Sequence, residues 1–191
     1  MNIFDQFTNF WKLFCKPSRQ QYSNFDLGSP IFYNDSCQYK RTDFTLKNVR
    51  KQEIRCSLYE PFNKVYDSCI VYLHSLNGSR MESAKYVQFA IERGFSFFSF
   101  DFPGCGLSEG EYVSLGYYEQ NDVDIVINYL KMKKNTIYWF MGQINGCCNC
   151  IIIFIKVNIY YIYIYLYFQI LKQCQCFSFR QSIFKYQKCR C

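Results

Sequence analysis

Hydrophobic and polar positions alternate at the start of the central part of the chain. Apolar side chains alternate with polar ones over residues 44–49 and again over residues 54–58. This period of two is typical of half-buried strands. Because the polar residues 50–53 between them suit a turn, the pattern predicts a β-hairpin.

Two later apolar runs show no alternation. The stretches SCIVYL, residues 68–73, and FSFFSF, residues 95–100, are continuous. Continuous runs of this length are typical of strands covered on both faces in a parallel sheet. A further strand is expected near Ile137.

Helical spacing of apolar side chains appears between these runs. Residues 83–93 and 119–134 place apolar residues on one face, and Gly94 stands where the first helix should end. Strand, helix, strand, helix and strand in this order predict an α/β fold. We therefore expect a parallel sheet with a leading β-hairpin, flanking helices and an ill-defined hydrophobic tail.

The ends of the chain differ from its middle. Residues 3–15 have helical spacing, which fits either a helix packed on the domain or a short interfacial membrane anchor. Residues 17–43 contain many Gly, Pro, Ser and Asn residues and are predicted to be loop-like. We expect an N-terminal helix and linker at 1–43, a partial domain at 44–146 and an aberrant tail at 147–191.

Charge and cysteine content change near the end of the predicted domain. The 191 residues carry a net charge of +7, from 22 Lys and Arg against 15 Asp and Glu. Since every acidic residue lies at or before Asp124, the excess positive charge belongs to the remainder. Seven of the 12 cysteines lie after Gly146, the last glycine. The charge thus follows from the composition of the tail, and we expect no nucleic-acid partner.

Three tail segments have the composition of other kinds of site. Cysteines cluster within residues 147–150, 174–176 and 189–191, but their C-x-C pairs lack the C-x2-C spacing of structural zinc sites. We therefore expect no metal and no cofactor. Residues 151–168 are apolar enough to suggest a membrane span, although Lys156 and five tyrosines interrupt them. Membrane association would use this segment or residues 3–15.

The start of the chain lacks the charged, apolar and small-residue regions of a secretory signal. We therefore expect a cytoplasmic or membrane-associated protein rather than a secreted one, and free cysteines rather than disulfides.

The segment from Leu73 to Leu130 resembles a known enzyme family. It contains HSLNG directly after the first continuous strand, and DFPGCGLSEGEYVSLGYYE, Asp101 to Glu119, directly after the second. These motifs resemble the first half of an α/β-hydrolase of the serine aminopeptidase-like or acyl-protein thioesterase-like group. The resemblance covers about residues 44–140. It implies hydrolysis of a small acyl, ester, thioester or peptide substrate.

The resemblance also implies roles for individual residues. The backbone N–H of Leu76 and that of Asn145, after the nucleophile, would form the oxyanion hole. Ser75 stands where the family usually has glycine. His74 and Asp101 are expected to shape loops, because the catalytic base of this family lies near the C-terminus.

The nucleophile of this family lies in a G-x-S-x-G elbow. The matching residues here are Gly142 to Gly146, GQING, with Ile144 in the nucleophile position. Because an alkyl side chain cannot attack a carbonyl, no catalytic residue is intact and we expect an inactive chain. The alternative is a membrane-anchored or interaction protein that keeps half of a hydrolase scaffold.

Back-translation restores the missing serine. Where TAG encodes Gln143, a permitted coding sequence for residues 139–150 gives GLWGRSMGAVT when it is read one nucleotide later. The same shift over residues 174–191 permits VSVLVLDSPFSNIKNVD. Both stretches resemble family motifs in one frame. We therefore interpret the tail as frameshifted from about Tyr138, by two nucleotides lost or one gained.

Overall fold

A mixed sheet of six strands, with helices beside it, makes up the part of the chain that the structure describes. The computed structural model describes residues 15–16, 18–34, 37–62, 64, 66–133 and 137–142. The strands are β1 (Ile31–Asn34), β2 (Cys37–Lys47), β3 (Glu53–Pro61), β4 (Ser68–Leu73), β5 (Ser96–Phe100) and β6 (Ile137–Gly142). The helices are α1 (Ala84–Glu92), which follows a 3-10 turn at Arg80–Ser83, and α2 (Glu119–Met132).

The elements predicted from hydrophobic spacing are confirmed. Strands β4 and β5 form from the two continuous apolar runs, and β2 and β3 form the hairpin. Along β4, Cys69, Val71 and Leu73 pack in one hydrophobic cluster, whereas Ile70 and Tyr72 pack in another. Because both faces of this strand are covered, apolar residues are needed at successive positions.

Helix ends also follow from the sequence. Gly94 after α1 has φ +81°, and its N–H donates to the carbonyl of Ile91 at 3.0 Å. In α2, Glu119 and Asp122 lie in the first turn and Lys131 in the last, which suits the helix dipole. The apolar face of α2 packs on the hydrophobic cluster that contains Val71. Helix α2 contributes Val123, Val126, Ile127 and Leu130 to this cluster.

The strand order is β1-β2-β3-β5-β4-β6. Strand β4 pairs in parallel with β5 and β6, as the α/β prediction requires. The pairs β1–β2, β2–β3 and β3–β5 are antiparallel. The predicted fold class is therefore confirmed, but the leading hairpin gains a strand and pairs directly with the parallel part. Antiparallel pairings consequently outnumber parallel ones.

The loop-like prediction for residues 17–43 is wrong over β1 and the first half of β2. Two aromatic side chains explain the difference, because Phe32 of β1 stacks on Tyr39 of β2 with ring centroids 5.2 Å apart. Tyr39 is buried in the cluster that contains Tyr72. The predicted boundary at residue 44 therefore falls inside a strand that pairs on both sides.

Both candidate membrane segments lie outside the described residues, apart from Cys15 at the end of the first. Within the described ranges, no helix has the length and apolarity that crossing a membrane requires.

The N-terminal segment, residues 18–30 before β1, is held on the sheet by Arg41 of β2. The Arg41 side chain is almost fully buried and donates to the carbonyls of Asn24, Leu27 and Gly28 at 2.7–3.1 Å. Its Nε also pairs with Asp43 at 3.0 Å. One guanidinium thus satisfies three carbonyls of a segment without regular secondary structure.

A second buried arginine, Arg80, joins four segments. Its side chain, 1% exposed, donates to Tyr22 Oη, Ser57 Oγ and Asn24 Oδ1 at 2.7–2.9 Å. Its charge is compensated by Asp101, whose carboxylate lies 3.8 Å from Arg80 Nε. The Tyr22 hydroxyl in turn donates to Asp101. Burial, followed by the Asp101 charge, raises the pKa of Tyr22, so this phenol keeps its proton.

The hairpin turn is tied to α2 by a buried carboxylate. Asp122, 1% exposed, accepts from Asn48 Nδ2 at 3.0 Å and lies 3.4 Å from Arg50 Nη2. Burial raises the pKa of Asp122 from its ordinary value of 3.8 to about 6, and the two partners only partly oppose this shift.

The hydroxyl of Tyr22 can be removed without changing the shape of its ring. We expect Tyr22→Phe to lower the free energy of unfolding by about 2 kcal/mol, because Asp101 and Arg80 each lose a charge-assisted hydrogen bond. Tyr33→Phe is the matched control, since Tyr33 is 78% exposed and its hydroxyl accepts only an exposed hydrogen bond from Gln38. Urea unfolding measures both variants, and equal effects would contradict a structural role for the Tyr22 hydroxyl.

Asp122 should make stability depend on pH. Since its pKa is higher in the folded chain than in the unfolded one, its contribution is fully present below about pH 4 and is lost as pH rises through about 6. The loss corresponds to about 3 kcal/mol. We expect Asp122→Asn to flatten the decline in stability between pH 4 and 7.5, as measured by urea unfolding.

Asp26 provides a control, because its pKa is shifted in the direction opposite to that of Asp122. This exposed carboxylate accepts from the N–H and hydroxyl of Ser23, which lowers its pKa. Its contribution is therefore lost on acidification, and Asp26→Asn should not flatten the decline. A decline that persists unchanged in Asp122→Asn would refute the assignment.

Candidate functional site

The predicted site residues lie at one edge of the parallel part of the sheet. His74 follows β4 directly, and Asp101 follows β5 directly. Gly142, the first residue of the predicted elbow, is the last residue of β6 and is paired with Leu73. Parallel strands end at a common edge, so the loop at His74 and the start of the elbow are neighbours. Ile144 and Asn145 themselves lie outside the described residues.

Both ring nitrogens of His74 hold backbone groups. Nε2 accepts from the N–H of Phe102 at 2.9 Å, so the proton lies on Nδ1, which donates to the Ser75 carbonyl at 2.7 Å. The ring is 4% exposed and packs edge-on against Phe102. This geometry fits the expected loop-shaping role and leaves neither nitrogen free to accept a substrate proton.

The predicted oxyanion donor lies in a tight turn. The N–H of Gly78 donates to the Ser75 carbonyl at 2.9 Å, so Leu76 and Asn77 are the central residues of a β-turn. The Leu76 carbonyl accepts from Cys105 Sγ at 3.5 Å. Among the described residues, none accepts a hydrogen bond from the Leu76 N–H.

Asp101 organises the loop after β5, as expected. Its Oδ1 accepts from the Arg80 N–H at 2.7 Å, and its Oδ2 accepts from the Leu107 N–H at 2.9 Å. Its carbonyl accepts from Ser108 Oγ at 2.6 Å, and that hydroxyl accepts from the Arg55 N–H at 2.8 Å. Asp101 and Ser108 are fully buried, and their side chains bind neighbouring groups of the protein.

Two glycines in this loop are required by close approach. Gly106 has φ +45°, and a Cβ there would lie 2.4 Å from the Asp101 carboxylate. Gly104 has φ +85°, and a Cβ there would lie 2.9 Å from the Tyr112 carbonyl oxygen. The run PGCG is thus fixed both by backbone conformation and by space.

The end of the same motif is fixed to α2. Glu119, in the first turn of α2, accepts from the N–H groups of Ser114 and Gly116 at 2.7 Å. It also binds the Ser114 hydroxyl. A buried carboxylate at the helix N-terminus therefore closes the loop that began at Asp101.

Cys105 places a thiol against the predicted oxyanion turn, because its Sγ lies 3.5 Å from the Leu76 carbonyl oxygen. Burial raises the pKa of Cys105 to about 12, with a smaller contribution from the Asp101 charge. The side chain therefore remains a thiol at neutral pH and is not a thiolate nucleophile.

The groove beside this loop has a volume of about 640 Å³ and is lined by Lys16, Ser18, Arg19, Gly104, Gly110 and Glu111. Its two cations are already engaged. Arg19 donates to the carbonyls of Ser108 and Gly110, and Lys16 pairs with Glu111 at 3.2 Å. Among the described residues that line the groove, both cations thus already have partners within the protein.

In the part of the chain that is described, no group of three or more His, Cys, Asp or Glu residues could hold a metal ion. The three tail cysteine clusters lie outside that part.

Sequence reasoning missed three site residues: Tyr22, Arg80 and Glu82. Arg80 and Tyr22 are joined across 58 positions, so no local pattern could have linked them. Glu82 does carry a signal, because Ser79 and Glu82 have the S-x-x-E spacing of a capping box. Only half of that box forms, through the Ser79 hydroxyl, which accepts from the Met81 N–H.

Comparison with known proteins finds a likeness in structure alone. The chain matches no protein-family model and no curated protein. An esterase from Pyrococcus furiosus, solved in three crystal forms, is similar. Its P21 form has a TM-score of 0.52 and 20% identity, over 66% of this chain and 48% of the esterase. The P212121 form has a TM-score of 0.53 and 19% identity, over 66% of this chain and 47% of the esterase.

The third form, in space group C2221, has a TM-score of 0.50 and 19% identity, over 66% of this chain and 45% of the esterase. The chain thus spans about half the length of these esterase structures. Because identity is this low, the likeness concerns the fold. Over 66% of its length, the chain has an α/β-hydrolase-like fold.

Proposed function

We propose that this chain contains the oxyanion-loop half of a serine hydrolase site for ester, thioester or amide substrates, and that the chain as encoded does not hydrolyse them. The observation that carries the proposal is the turn at Ser75–Gly78. Its Leu76 N–H lacks an acceptor among the described residues and lies at the edge where β6 ends. An N–H in this position suits an oxyanion that forms on a carbonyl oxygen.

The covalent step needs groups that this chain lacks. In such a reaction a serine oxygen bonds to the carbonyl carbon, a base takes the hydroxyl proton, and the carbonyl oxygen becomes an oxyanion. Collapse of that intermediate expels the leaving group, which receives the proton from the base, and water then releases the acyl group from the serine. Here Ile144 occupies the serine position, and His74, the one histidine of the sequence, has both nitrogens bonded to backbone groups.

We also propose that the reading frame is displaced near Tyr138. Two stretches of the tail permit hydrolase-like motifs in one and the same shifted frame, GLWGRSMGAVT and VLDSPFSN. Such a displacement accounts for the absence of acidic residues after Tyr138 and for the cysteines after Gly146. It also locates the missing serine across the codons of Ile144 and Asn145.

The full chain should not hydrolyse p-nitrophenyl butyrate above the buffer rate. Ile144→Ser should remain inactive too, because a serine without an adjacent base is a weak nucleophile. Spectrophotometric release of p-nitrophenol measures both proteins. Turnover by the full chain would contradict the proposal, and Ser75→Ala, Ser79→Ala and Ser108→Ala would then test the three buried serines of the described loops as its source.

Sequencing of the genomic locus and of its transcript across codons 138–191 tests the frame. We expect a TAG codon at Gln143 and a frame-restoring difference near codon 138. The frame-restored protein should hydrolyse the same ester, and alanine at its elbow serine should abolish turnover. A transcript that confirms the present frame, together with relatives that share this tail, would favour the membrane-anchored or interaction protein instead.

A further inference from the structure

We propose that Glu82 is the positioning residue of the oxyanion turn, and that its carboxylate binds Ser75 through both main chain and side chain so that the Leu76 N–H stays available. The role in catalysis rests on the proposed function, whereas the positioning of the turn does not.

The carboxylate of Glu82 accepts three hydrogen bonds at the start of the turn. Its Oε1 accepts from Ser75 Oγ at 2.9 Å, and its Oε2 accepts from the Ser75 N–H and from the Tyr72 hydroxyl, both at 3.3 Å. Two of these donors belong to one residue, which precedes Leu76. One carboxylate thus fixes that residue at two points.

Gly78 leaves the space that the carboxylate occupies. A Cβ at Gly78 would lie 2.0 Å from Glu82 Oε1 and 2.7 Å from Ser75 Oγ. Gly78 does not have a positive φ, so its backbone conformation is open to other residues. The glycine is therefore required by the Glu82–Ser75 hydrogen bond rather than by the turn itself.

The carboxylate is mounted on a rigid support. Glu82 lies in the 3-10 turn at Arg80–Ser83, whose first N–H donates to Asp101 at 2.7 Å. The side chain of Arg80 is buried among Tyr22, Asn24 and Ser57. The 3-10 turn is fixed at its first residue. Few rotatable bonds therefore remain to be ordered in the Glu82 side chain when its carboxylate binds Ser75.

Every polar group of Ser75 is consequently bonded. Its N–H and hydroxyl donate to Glu82, and its carbonyl accepts from His74 Nδ1 and from the Gly78 N–H. Fixing Ser75 fixes the peptide that carries the Leu76 N–H. A glycine in place of Ser75 would keep the backbone bonds but lose the hydroxyl donor, so the serine and Glu82 act as a pair.

The test is amide hydrogen exchange of the full chain, read by mass spectrometry with residue resolution. We expect Glu82→Gln to accelerate exchange of the Ser75 and Gly78 amides by about tenfold or more, because Gln presents an N–H₂ group where one carboxylate oxygen accepts. Glu92→Gln, an exposed substitution on α1, is the matched control and should leave both amides unchanged.

A double-mutant cycle separates positioning from general support of the fold. Ser75→Gly should accelerate exchange of Gly78 as Glu82→Gln does, and the double variant should exchange no faster than either single one. Additive effects would overturn the pairing. Unchanged exchange in Glu82→Gln, or acceleration spread evenly over β3, β4 and β5, would overturn the positioning role.

The frame-restored protein provides the catalytic readout. In that protein we expect Glu82→Gln to lower kcat for p-nitrophenyl butyrate about tenfold without changing KM, because the oxyanion exists only after substrate has bound. An unchanged kcat would overturn the catalytic part of the inference. Failure of the frame-restored protein to hydrolyse esters would refute the proposed function, while the exchange measurements would still decide how the turn is held.

Discussion

The carboxylate of Asp101 has no exposed surface and is surrounded by donors from three separate segments. The Tyr22 hydroxyl, the Arg80 N–H and the Leu107 N–H all donate to it, and the Arg80 guanidinium lies 3.8 Å away. Removing a carboxylate from water costs several kcal/mol unless all such partners are present together. The N-terminal segment, the 3-10 turn and the loop after β5 must therefore assemble as one unit around this charge.

The same requirement extends from Asp101 to the predicted oxyanion turn. Asp101 fixes the first residue of the 3-10 turn, that turn carries Glu82, and Glu82 binds Ser75. From the other side, His74 joins the turn to the backbone after β5. The turn is thus held from the 3-10 turn on one side and from the loop after β5 on the other, which is how a binding group is preorganised before a ligand arrives.

The pattern of hydrophobic residues predicted those elements in which the local sequence alone determines which side chains are buried. Strands β4 and β5 were predictable because each is a continuous apolar run, and both helices because their apolar residues recur at helical spacing. Strand β1 was not, since it depends on Phe32 stacking against Tyr39 across the pair. The loop-shaping roles of His74 and Asp101 followed from the family resemblance. Arg80 and Tyr22 gave no signal, because their bonds join residues far apart in sequence.

The residues that hold the predicted oxyanion turn and those assigned to the covalent step occupy different parts of the chain. Among the described residues, the side chains that hold the predicted oxyanion turn, His74, Glu82 and Cys105, precede α2. The residues that the family resemblance assigns to the covalent step would follow β6. A frame displacement near Tyr138 would therefore remove the nucleophile and the base but preserve the turn to which we assign the binding of an oxyanion. For this reason the hydrolase-like fold of this chain does not imply catalytic activity. Whether the Ser75–Gly78 turn is held in place and whether a nucleophile and a base are present are separate questions.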